Sequence, residues 1–88
     1  MDWLVYIIEC SDESFYTGIT NNLERRFEQH NNQTGAKYFR GRKAVRVVYV
    51  ERGHDRSSAS QREAEIKKLN RGQKMALLSS VRNALDRS

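Results

Sequence analysis

The chain opens on an unbroken apolar and aromatic stretch, Trp3 to Glu9, rich in β-branched residues. Such a run reads as a strand buried on both faces. Ser11 to Ser14 is turn chemistry, and Phe15 to Ile19 restores a strand pattern, so the two segments form an antiparallel hairpin. Thr20, Asn21 or Asn22 can cap a short helix over Leu23 to His30. Asn31 to Lys43 is polar, glycine-punctuated and basic, and reads as a loop. Val45 to Glu51 is a third strand, and Gly53 to Arg56 turns the chain. Ser57 or Ser58 starts a second helix that runs to about Leu69. Gly72 breaks it, and Gln73 to Leu85 is a third helix with an apolar stripe at Met75, Leu78, Val81 and Leu85. The order β-β-α-β-α-α predicts an α+β fold, a small three-stranded antiparallel sheet covered by helices, as one domain over residues 1–88.

Helical periodicity then sorts charged residues that stand next to each other. Leu23, Phe27 and His30 share one stripe, and Arg26 joins it, whereas Arg25 points roughly to the opposite side. A guanidinium on an inner stripe needs either a carboxylate partner or a cleft that admits an anion. His30, at the helix end, can equally cap carbonyls or pack at an edge. On the second helix Ala59, Ile66 and Leu69 mark the inner face. Glu63 lies on it, four residues after Ala59, and Glu65 is turned well away. Ser60 and Glu63 also fit a capping box, so Glu63 can be a helix cap or an inward carboxylate. One inward carboxylate is enough for Mg²⁺, which keeps most of its waters and takes other ligands from substrate phosphate.

Composition narrows the class. The 88 residues make one small domain, 31% charged and 38% hydrophobic, a globular balance. The net charge of +5 favours phosphate-rich partners. It is unevenly placed: residues 1–15 hold four acids and no Lys or Arg, whereas residues 37–46 hold Lys37, Arg40, Arg42, Lys43 and Arg46 and no acid. The apolar run at the N-terminus is too short to span a membrane, and no basic segment precedes it as in a signal peptide. The single cysteine, Cys10, cannot form an internal disulfide, which suits a reducing, cytoplasmic setting. No His/Cys cluster has zinc spacing.

Two tyrosines, Tyr6 and Tyr16, fall on the paired strands, with Gly18 two residues beyond the second. A glycine inside a strand pattern marks a bulge or a close approach by a ligand backbone, and for a nucleic-acid ligand Gly18 would be a binding position. Leu4-Val5-Tyr6 and Tyr16-Thr17-Gly18 resemble the paired tripeptides of the GIY-YIG nuclease family. The likeness continues through Asn22 to His30, Gly35-Ala36-Lys37 and Arg62 to Leu69, nearly the whole chain, and is closest to the small stand-alone bacterial branch. Two positions depart from the pattern: Leu4 replaces the first glycine, and Ile19 stands where repair-type members carry a lysine.

The resemblance implies a metal-dependent endonuclease that hydrolyses DNA phosphodiesters with one Mg²⁺ or Mn²⁺ ion. By position it makes Tyr6, Tyr16, Arg26, His30 and Glu63 the catalytic set, with Glu63 the metal ligand. One tyrosine would deprotonate a water and the other orient it, Arg26 and the metal supplying the field that a phenol needs to act as a base. Lys37, Arg40, Arg42 and Lys43 would grip the phosphate backbone, with Tyr38 and Phe39 available to stack on unpaired bases. The alternative is a nucleic-acid-binding module of the same fold with little or no turnover.

Overall fold

Hydrophobic runs at both ends of the first hairpin set the sheet. In the computed structural model, which describes residues 2–31, 41–80 and 83, β1 (Trp3–Cys10) lies between β2 (Phe15–Thr20) and β3 (Ala44–His54). Both pairings are antiparallel. With a neighbour on each side and a layer on each face, Val5 to Ile8 are completely buried, which is why β1 reads as continuously apolar.

The two faces of β1 feed two separate cores. Leu4, Tyr6, Ile8 and Cys10 pack with Val50 and with Tyr16, Leu23, Phe27 and Val47, under α1 (Leu23–Asn31). Val5 and Ile7 pack with Tyr49, Ala59, Ile66, Leu77 and Leu78, under α2 (Arg56–Lys67) and α3 (Arg71–Leu78). The sheet is thus the middle of three layers, in the order β-β-α-β-α-α that the sequence predicts. No helix among the described residues is long and apolar enough to cross a membrane.

Several boundaries differ from those expected of the sequence, each for a local reason. Among the three candidate caps of α1 the structure selects Asn22, whose Oδ1 accepts from the Arg25 amide at 3.2 Å. β3 runs on past Glu51 to His54, which pairs with Trp3; Gly53, expected in a turn, accommodates this with φ +85° beside a register shift. The second helix starts at Arg56 because Asp55 caps it in a reciprocal box with Ser58. Such a cap is worth about 1 kcal/mol. Ser60 and Glu63 therefore sit inside α2, and the capping-box reading of Glu63 falls.

At the C-terminal end Gly72 breaks nothing. α2 ends at Lys67, and Gly72 lies in the first turn of α3, which Asn70 and Gln73 cap as a second box. The helix stops at Leu78 rather than Leu85. Its inner residues are Leu77 and Leu78, and Met75 is 51% exposed. The chain then returns to β3: Asn83 Oδ1 accepts from the Val50 amide, and its Nδ2 donates to the Val48 and Leu78 carbonyls. One side-chain amide so satisfies backbone groups on the outer edge of β3 that would otherwise lack a ladder partner. Val81 and Leu85 lie outside the described residues, as do Lys37, Tyr38, Phe39 and Arg40 of the predicted loop.

Candidate active site

Strand alternation puts Tyr6 and Tyr16 on the face that α1 covers, and α1 adds Arg26 and His30 from its inner stripe. The Tyr6 phenol meets His30 Nε2 at 2.9 Å. The Tyr16 ring stands edge-on to His30 at 5.1 Å between centroids, and the two tyrosine rings are 6.3 Å apart. Gly18 faces Tyr6 across the β1–β2 pairing. A Cβ there would come within 2.5 Å of the Tyr6 Oη and 2.7 Å of its Cζ. The space at Gly18, read from the sequence as a bulge or room for an approaching ligand backbone, is filled by the Tyr6 side chain.

Arg26 joins this cluster without an acidic partner among the described residues. Its Nη1 donates to Gln29 Oε1 at 3.2 Å, and its charge lowers the pKa of the Tyr6 phenol. Its Nε is buried and has no hydrogen-bond partner among the described residues. Of the two arrangements open to an inward guanidinium, a structural ion pair is not found among the described residues. A cavity of about 190 Å³ opens beside the guanidinium, lined in part by Asn21, Arg25, Arg26 and Gln29. Arg25 itself is exposed, as its position on the helix predicts.

Burial governs the titration of the inner pair. Desolvation, with Tyr16 alongside, pushes the Tyr6 phenol up to about 12, although Arg26 pulls it down and Glu63 adds a smaller push upward. Desolvation and then the Arg26 charge hold His30 down to about 4. At neutral pH both groups are therefore uncharged. Across the 2.9 Å contact a neutral His30 can accept the phenol hydrogen at Nε2. The sign of the pH dependence follows. Between pH 6.5 and 4 an unfolded chain takes up a proton at His30 that the folded chain refuses, so stability falls as pH drops through that window. The full effect is about 3 kcal/mol. Denaturant unfolding of wild type and His30→Gln at pH 7 and pH 4 should show the wild type losing more; equal losses would mean that His30 does not set this dependence.

Glu63 is carried by α2, on the opposite face of the sheet. Its charge adds the smallest of the upward pushes on the Tyr6 phenol, and its carboxylate pairs with Lys67 at 3.5 Å. Glu65 is directed outward and meets Arg62. Among the described residues no group of three or more His, Cys, Asp or Glu side chains gathers to hold a metal. A single half-buried carboxylate, held only by one exposed lysine, nevertheless fits a hard divalent cation that keeps its waters.

The basic segment is less free than its composition suggests. Arg42 pairs with Asp12 at 3.0 Å, and the Lys43 backbone exchanges hydrogen bonds with Ser11, so both are tied to the β1–β2 turn. One polar network is not foreseen from the sequence: Glu51 of β3 with Tyr49, His54 and Arg62. A signal for it exists, since Arg62 stands three residues after Ala59 and four before Ile66, on the same inner stripe that selects Glu63.

The GIY-YIG catalytic domain model matches residues 2–76. A UPF0213 protein of Clostridium perfringens is 57% identical over 76 residues, covering 86% of this chain and 82% of that protein. Another, from Natronomonas pharaonis, is 49% identical over 78 residues, covering 89% and 92%. Among solved structures, the solution structure of a UPF0213 protein from Bacillus halodurans aligns with a TM-score of 0.57 at 42% identity, over 90% of this chain and 84% of that one.

Proposed function

Because the chain belongs to the GIY-YIG catalytic-domain family, a family of endonucleases, we propose that it hydrolyses phosphodiester bonds in DNA. The observation that supports this most directly is the buried Arg26 Nε without a partner among the described residues, next to the Tyr6 phenol and a cavity. A phosphate oxygen supplies the missing acceptor, and a guanidinium stabilises the charge that grows on it during attack.

The two tyrosines divide the remaining work. Tyr6 is sealed from solvent and its phenol is pushed up to about 12, so it orients His30 and Arg26 rather than exchanging protons with water. Tyr16 is only partly buried, and we assign it as the base. In its phenolate form it takes a proton from a water whose oxygen attacks phosphorus; the bond to the opposite ester oxygen breaks, and that oxygen leaves with a proton taken from solvent. Glu63 would hold one Mg²⁺ or Mn²⁺ ion, which when bound supplies positive charge against the phosphate.

Labelled single-stranded, duplex and branched DNA, each with and without Mg²⁺ or Mn²⁺, tests the reading. Metal-dependent cleavage of one form is expected. Binding without cleavage under any metal would leave instead a nucleic-acid-binding module of this fold. Affinity should depend on the basic segment: Arg40, Arg42 and Lys43 changed together to alanine should weaken binding to all sequences alike. The dependence of log K on log salt should become shallower by up to about 0.9 for each phosphate that is no longer neutralised. An unchanged slope would mean these residues carry only solvated charge.

A further inference from the structure

Arg62 and Glu63 are neighbours on α2 whose side chains go to different places. Arg62 Nε lies 3.1 Å from both oxygens of Glu51, and its Nη1 lies 3.0 Å from Glu65. Glu51 is 8% exposed and accepts from the Tyr49 phenol at 2.6 Å and pairs with His54 Nε2 at 2.7 Å. His54 Nδ1 in turn meets Ser58 Oγ at 3.0 Å, and Ser58 closes the cap of α2. One buried carboxylate on β3 thus holds α2 directly through Arg62 and again through its first turn. Burial alone would raise the Glu51 carboxyl, yet hydrogen bonds from Tyr49, His54 and Arg62 hold it below its usual range.

Two such attachments leave α2 no freedom to roll about its axis. Successive side chains on a helix diverge by about 100°. Seating Arg62 on β3 therefore fixes the direction in which Glu63 leaves the helix. We propose that the Glu51–Arg62 pair is the positioning device that sets Glu63 for its metal ion. This rests on the metal role proposed for Glu63 above.

A purely stabilising ion pair makes a different forecast. Arg62 is a cation one residue from a cation site, so on charge alone its removal should tighten metal binding. Lost positioning should weaken it, by about tenfold, the lower end for groups that orient a ligand. The probe is Mn²⁺ alone, titrated into the full chain while its paramagnetic broadening of NMR signals from Glu63, Tyr6 and Tyr16 is followed. Wild type should show broadening centred on Glu63, and Glu63→Gln should lose it. Arg62→Gln should need about tenfold more Mn²⁺ for half-broadening, and Arg62→Lys should fall between the two. An unchanged or lower Mn²⁺ requirement in Arg62→Gln overturns the positioning role while the metal reading stands. No broadening near Glu63 in wild type overturns the metal reading and this inference with it. If Arg62→Gln does not fold, Arg62→Lys decides alone. It keeps the charge and loses the fork, so a raised requirement supports positioning and an unchanged one refutes it.

Discussion

Glu63→Gln is expected to fold, to bind nucleic acid and to cleave more slowly than wild type by on the order of 10²-fold or more. The size follows from losing a ligand outright, which should exceed the roughly 10–100-fold cost of losing a group that merely orients one. Stability should hardly move, because Glu63 takes no part in capping α2; Asp55 and Ser58 do that, and the Lys67 contact is an exposed pair of little energetic weight. Glutamine keeps the volume and the helix propensity, so the comparison isolates the charge. Nucleic-acid affinity should hold or rise, since a negative group leaves a surface that faces phosphates. Three measurements on one variant check this: thermal unfolding, salt-dependent binding and single-turnover cleavage with Mg²⁺ or Mn²⁺. Wild-type cleavage by Glu63→Gln would refute the metal role.

The parts of this molecule that are legible in its sequence are those fixed by periodicity. β1 is buried on both faces and reads so; the α1 stripe separates Arg26 from Arg25 because 3.6-residue geometry leaves no other choice. The elements that mislead are those where a distant partner overrides the local signal. Gly53 looks like a turn until Trp3 pairs with His54. α3 looks longer than Leu78 until Asn83 is drawn back to the Val48 and Val50 backbone, thirty-odd residues earlier in the chain. Gly72 looks like a breaker because the boxed Asn70 and Gln73 carry the cap that a local pattern does not reveal.

The site shows the same division. Tyr6, Tyr16, Arg26 and His30 meet because the hairpin register and one helical stripe bring them together, and both are readable from spacing. The Glu51 network is not, since it joins β3 to α2 across a turn, and a lone glutamate at a strand end carries no sign of burial. Its partner Arg62 satisfies the inner-stripe spacing as well as Glu63 does, so spacing alone does not separate their roles. A helix face is wide enough for both, one on each flank of the Ala59–Ile66 line.

Among the described glycines, Gly18 is where an added methyl should meet the closest contacts, and Gly18→Ala should be strongly destabilising. The new Cβ would lie 2.5 Å from the Tyr6 Oη and 2.7 Å from Cζ, far inside van der Waals distance. Tyr6 cannot yield by a rotation at its tip, because its ring is completely buried and its phenol is held by His30. Overpacking of this kind costs about 1–3 kcal/mol, and moving the phenol breaks a buried hydrogen bond worth roughly another 1 kcal/mol. Cleavage should fall as well, because Arg26 and His30 lose the group that orients them. Tyr6→Phe provides the internal control. It removes the hydroxyl, the closer of the two clashing atoms, but leaves Cζ in place. The double variant should therefore be less destabilised than the sum of the two singles, by about 1 kcal/mol in a double-mutant cycle. Activity should not recover with it, since the oriented phenol is absent from both. Additive destabilisation would mean that Gly18 and Tyr6 do not share the space the structure gives them, and full activity in Gly18→Ala would separate the tyrosine cluster from the chemistry.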